Sequence, residues 1–197
     1  MDGYIKRIFL LGLALVLVTA AEASMMNDID VSRISEDCGK WKVGFNWSKM
    51  DEYSSSISHG DSATDSIKIA TDTLIMTSST DAKKVLKVSV ITYSKSDESL
   101  LNISNMMNIA NSTLSKSKVC KDTHIRGMQI DGKMGIFASG QKCPQEEPVY
   151  AAIYPVDYHL DRPGGVLEAT AYGLVLSTYD LKTMESFVNS LKIEQVK

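Results

Sequence analysis

The stretch Met128–Cys143, MQIDGKMGIFASGQKC, decides how this chain is read. Two strand-like runs meet at Asp131-Gly132. Asp-Gly between alternating runs is the strongest short-range hairpin signal, because a type I′ turn needs positive φ at both central residues. With those two residues as the loop, Ile130 faces Lys133. The same register, carried outward, sets Cys120 opposite Cys143. In an ideal ladder such a hydrogen-bonded pair has Cα atoms about 5.5 Å apart, inside the range a disulfide tolerates. The glycines of the stretch do not form G-x-G-x-x-G opening a helix, and Lys133 is not followed by Ser or Thr. The hairpin therefore holds structure rather than a phosphate.

Strand patterns continue on both sides. Upstream, SIKIATDTLIMTSS and KVLKVSVITYS are rich in Ile, Val and Thr and are separated by the turn-like STDAKK. Earlier still, WKVGFNW puts Trp41, Val43, Phe45 and Trp47 on one side of an extended chain. Residues 53–66, YSSSISHGDSATDS, have the composition of turn and loop. A helix is expected from a cap at Ser96, with Asp97 and Glu98 in its first turn and Leu100, Ile103, Met107, Ala110 and Leu114 as its inward stripe. Downstream, PVYAAIYPV and LEATAYGLVLS are strands separated by Pro163-Gly164-Gly165. A second helix starts at Asp180 and buries Leu181, Met184, Val188 and Leu191.

The order is β-β-β-α-β-β-β-β-α, which makes the class α+β. Short turns between neighbouring strands imply an antiparallel sheet of about six to seven strands, with both amphipathic helices on one face.

The first residues carry an address. Lys6 and Arg7 precede the thirteen-residue apolar run Ile8–Ala20, and Ala21-Glu22-Ala23 is an A-x-A cleavage signature. That run falls short of the roughly 20 residues a spanning helix needs. Residues 1–23 are thus expected to be a signal peptide, 24–40 an N-terminal arm or linker, and 41–197 one domain. The expected location is secreted or at the cell envelope, with membrane contact only through an uncleaved signal segment. The net charge of −3 lacks the basic stripe that nucleic acid requires.

Few side chains suggest chemistry. Asp157, His159 and Asp161 in VDYHLD alternate, so an extended backbone points all three the same way. They could ligate a divalent metal or pair a base with an orienting acid, but no second ligand cluster supports them. The plain alternative is a solvated strand edge. His59-Gly60-Asp61 with Asp65 looks like loop chemistry, and His124 lies on the hairpin. Met106-Met107 suits helix packing better than a soft-metal site. No Gly-x-Ser-x-Gly elbow recommends a Ser-His-Asp triad. Cys38 is left over as a buried, reactive or intermolecularly bridged thiol. Asn46, Asn102 and Asn111 open Asn-x-Ser/Thr sequons, which are glycosylation acceptors where the host has the machinery. No cofactor is implied.

The order of elements resembles the PsbP-like fold of extrinsic photosystem II subunits. It is carried by the VGFNW strand, the helix after the third strand, the IDGKMGIFASGQ hairpin, the VYAAIYPV strand and a terminal helix ending FVNSLKI. The layout is also similar to small exported proteins of unknown function in methanogenic archaea. The resemblance spans most of residues 41–194 and implies a non-catalytic accessory or binding module. Photosystem-specific residues have no counterpart here.

The expected function is therefore an exported binding or accessory protein, its partner an unknown protein or small molecule at the cell surface. The alternatives are a metal-dependent hydrolase using Asp157, His159 and Asp161, and a surface component bridged through Cys38.

Non-reducing peptide mapping of the native protein is expected to recover a Cys120–Cys143 linkage. Its reduction should lower stability by roughly 3 kcal/mol, the chain-entropy value for a loop of this length. A peptide joining Cys38 to either partner, or three free thiols, would contradict the register argument.

Overall fold

The structure, a computed structural model, describes residues 27–31, 40–47, 53–63, 68–94, 102–116, 122–141, 149–162, 165–168 and 170–196. In chain order the elements are β1 (Asn27–Asp30), β2 (Lys40–Phe45), β3 (Tyr53–Ala63), β4 (Lys68–Ser78), β5 (Val85–Tyr93), α1 (Ile103–Lys116), β6 (Asp122–Ile130) and β7 (Lys133–Gln141). They continue with β8 (Tyr150–Val156), β9 (His159–Arg162), β10 (Gly165–Glu168), β11 (Thr170–Ser177), α2 (Leu181–Ser190) and β12 (Lys192–Val196). Residues 1–23, expected to be a signal segment, lie outside the described residues, as do Ser96, Asp97, Glu98, Cys38, Cys120 and Cys143.

Seven strands form one sheet in the order β3-β4-β5-β11-β8-β7-β6, all neighbours antiparallel. A three-stranded sheet, β1-β2-β12, and a β9-β10 ribbon complete the set. The hairpin has the register expected from its turn. Ile130 faces Lys133 and the ladder runs to Asp122 opposite Gln141. Asp131 and Gly132 both take positive φ, 50° and 73°, as the type I′ turn demands.

The α+β class and the antiparallel sheet of seven strands stand as expected, but the helices do not share a face. Along β8, Ala151 and Ile153 pack with Met106, Ala110 and Leu114 of α1. The intervening Ala152, Tyr154 and Val156 pack with Met184, Phe187 and Val188 of α2 and with Trp41, Val43 and Phe45 of β2. Successive side chains on a strand point to opposite faces, so α1 covers one side and α2 with the small sheet covers the other. Burial from both sides accounts for the near-continuous apolar runs of β8 and β11.

The polar run that looked like a loop is the 11-residue strand β3, paired with β4 along its whole length. Ser54–Ala63 are exposed on both faces, so no apolar alternation marks the strand. Its ladder with β4 overrides a weak propensity.

Helix α1 begins at Ile103, where Asn102 Oδ1 accepts from the Asn105 N–H at 2.7 Å. Its inward stripe is Met106, Ala110 and Leu114, whereas Ile103 and Met107 are exposed. Ala110 packs in the same cluster as Ala138 and Ala151, small residues that let the helix backbone come close. Asp180 caps α2 as expected, accepting from the Thr183 N–H at 3.0 Å. The Thr183 hydroxyl and main-chain N–H hold its carboxyl below the usual carboxylate range. The buried stripe of α2 is Met184, Phe187 and Val188, with Leu191 just beyond the helix, while Leu181 is exposed. The chain turns extended at Leu191 and adds β12, an element the helical pattern concealed.

One close approach fixes the middle of the core. Tyr154 on β8 faces Gly173 on β11. A Cβ on Gly173 would lie 2.6 Å from the Tyr154 ring and 2.9 Å from Ile193 Cδ1. Gly173→Ala is expected to destabilise the fold by about 1–3 kcal/mol, the usual cost of overpacking, measured by denaturant unfolding. An unchanged midpoint would mean the ring has room to move.

Candidate functional site

The most structured polar feature lies where β3 meets β4. Cross-strand pairing sets His59 opposite Asp72, with His59 Nδ1 2.8 Å from Asp72 Oδ1. The Asp72 side chain is 1% exposed and the His59 side chain 41%. A carboxylate taken out of water must be compensated by charge-assisted or hydrogen-bonded partners, and the imidazole is one of them. The pair also fixes the ring, leaving its other edge toward solvent. An imidazole oriented in this way can offer its second ring nitrogen to a ligand.

Alternation limits what the pair can do. Ser58 and Ser62 fall on the other face of β3 from His59, and Ile57 and Asp61 flank it on its own. The ladder therefore brings no serine of β3 beside the imidazole. Asp72 had a legible signal, since it stands in phase with the inward-facing Leu74 and Met76 of β4. An acid at an inward position of an apolar strand calls for a partner.

The VDYHLD residues are engaged by groups outside the motif. Tyr158 is buried, its ring centroid 5.3 Å from that of Trp41. Asp157 is exposed and pairs with Lys133 of the hairpin at 2.8 Å. His159 is exposed, and its main chain is clamped by the Gln195 amide. The His159 N–H donates to Gln195 Oε1 at 2.8 Å, and its carbonyl accepts from Gln195 Nε2 at 2.5 Å. Asp161 lies on β9 opposite Val166, and its side chain is outside the described residues. Among the described residues no three His, Cys, Asp or Glu side chains gather where they could hold a metal. Of the sequon residues, Asn102 and Asn111 are exposed. Asn46 is half-buried, its N–H donating to Ser190 Oγ at 3.0 Å.

No family model, curated protein or solved structure matches this chain.

A second polar feature sits on the small sheet. Asp28, Lys42, Gly44, Lys192 and Glu194 line a depression of about 120 Å³. Gly44 is paired with both Asp28 and Lys192, so the absent side chain leaves the hollow. Lys42 Nζ lies 3.3 Å from Asp28 Oδ2 across it. Ligand sites for drug-sized molecules run from about 300 Å³ upward, so this one suits water or a small ion.

Nearby, Asp131 Oδ2 accepts from the Ile193 N–H at 3.4 Å. Burial pushes the Asp131 carboxyl above the usual carboxylate range, against the opposing pull of that hydrogen bond. The Tyr154 hydroxyl is buried without a hydrogen-bond partner among the described residues. Burial, with the neighbouring Asp131 charge, drives its phenol well above the ordinary tyrosine value.

His159→Ala is expected to leave divalent-metal content and any hydrolytic turnover unchanged, because Asp157 is already engaged by Lys133. Elemental analysis of both proteins checks this. A stoichiometric ion lost in the variant would restore the metal site.

Proposed function

We propose that this protein is an exported, non-catalytic binding or accessory module at the cell envelope, acting through contact with a partner there. The observation that carries the reading is β3. Its 11 residues edge the large sheet, and every side chain from Ser54 to Ala63 is exposed. Such a strand presents main-chain donors and acceptors to a partner strand, which is the basis of β-augmentation. The basic residues, apolar run and A-x-A signature of residues 1–23 support export. The PsbP-like order of elements supports an accessory role, although fold alone never assigns a function. A hydrolase built on Asp157, His159 and Asp161 accounts less well for the Lys133 contact to Asp157.

Fractionation with N-terminal sequencing tests the address. Native protein from the outer compartment should begin at Ser24. Recovery of chains retaining Met1 from the cytoplasm would sink the export half of the reading.

A further inference from the structure

The direction of the main-chain groups on β3 follows from its neighbours. The Ser94 N–H donates to the Lys68 carbonyl at 2.9 Å and the Ser78 N–H to the Lys84 carbonyl at 3.0 Å. Even-numbered residues of β4 therefore turn their main-chain groups toward β5, and odd-numbered ones toward β3. Through the β3–β4 register, which pairs Gly60 with Thr71 and Ser58 with Thr73, the even residues of β3 bond to β4. The odd residues, Ser55, Ile57, His59 and Asp61, direct their N–H and C=O groups outward. Among the described residues no strand pairs with that edge.

Other edges of the structure are blunted. The opposite edge, β6, carries Arg126, whose guanidinium pairs with Glu185 and lies 4.8 Å from the Phe137 ring centroid. In the small sheet, β1 has only four residues, two of them acidic, and β12 carries Lys192 and Glu194. Short length, charge and proline are the ordinary guards against edge-to-edge pairing. By contrast β3 is 11 residues long, with Asp61 as its one charged residue apart from His59 and with no Lys, Arg or Pro.

We propose that β3 pairs antiparallel with β3 of a second copy of this chain about a two-fold axis at Gly60, joining two seven-stranded sheets into one. The reason to choose a second copy is self-complementarity. Centring on Gly60 sets His59 opposite Asp61 of the other copy, twice, and Ile57 opposite its Ala63. All of these are outward-bonding positions, so the register also satisfies the main chain with about eight hydrogen bonds. The one large apolar side chain left exposed on the strand, Ile57 at 44%, gains a neighbour. Gly60 at the axis keeps the closest approach free of side chains. An isologous contact of this kind closes on itself and does not propagate into fibres. The inference rests on the reading of the protein as a binding module and names the occupant of its edge.

Sedimentation and site-directed cross-linking of the chain beginning at Ser24 test it. The unmodified chain should sediment as a dimer. Ile57→Pro removes only an outward N–H and should give a monomer with an unchanged circular dichroism spectrum. Ile57→Lys, which puts a charge on the edge without touching the main chain, should do the same if the proline variant misfolds. Gly60→Cys is sterically free, since a Cβ there meets nothing within 4 Å. A non-hydrogen-bonded pair at the axis sits about 4.5 Å apart, so mild oxidation should yield a peptide linked through residue 60 on both sides. A monomeric unmodified chain, a dimer indifferent to both Ile57 variants, or linkage of residue 60 only to the native cysteines would overturn the proposal. None of these outcomes bears on export, which the N-terminal sequence decides separately.

Discussion

Strand β11 holds this molecule together. The chain builds two three-stranded meanders, β3-β4-β5 and β6-β7-β8, each with its own short connections. Neither could bury both faces by itself. Pairing of β11 with β5 on one side and β8 on the other merges them into one sheet, with Gly173 opposite Val90 and Tyr154 in the two ladders. Seven of its eight residues are buried, so its main chain must be paired on both sides to offset desolvation. Its β5 partners lie far back in the sequence, and its β8 partners lie beyond the β9–β10 ribbon. That topology makes folding depend on non-local closure.

The rest of the architecture follows from where β11 sits. To leave its position free, the chain must travel from β5 to β6 across four inter-strand gaps, roughly 19 Å at the usual spacing. A helix the length of α1, 14 residues, extends about 21 Å. It lies over β7 and β8, closing one face with Met106, Ala110 and Leu114. The other face takes a layer of two parts, α2 and the small sheet. Their aromatic contacts run through Phe45, Trp47, Tyr53, Tyr179 and Phe187. The covering layers reach β3 only at Tyr53, and Ser54–Ala63 are exposed. The same shortfall places the His59–Asp72 pair at the margin, half in the core and half out.

Local chemistry determined much of this from the sequence alone. Asp131-Gly132 needs positive φ, and that need set the turn and the hairpin register without reference to the remaining chain. Alternating Val, Ile and Leu in β4 and β5, the continuous apolar runs of β8 and β11, and the Asp180 cap were legible for the same reason: each depends on neighbours within a few residues. Tertiary structure alone decided the rest. β3 is a strand because β4 supplies its ladder, and its Ser-rich sequence carries no record of that. Leu191 ends α2 and β12 continues from it because β2 offers an edge to pair with. Which methionine of α1 turns inward depends on the small side chains of β7 and β8 beneath it. Opposite faces for the two helices, and an imidazole beside a buried acid 13 residues away, come from long-range pairing. A sequence pattern fixes what each segment wants to bury, and only the assembled layers fix what it is buried against.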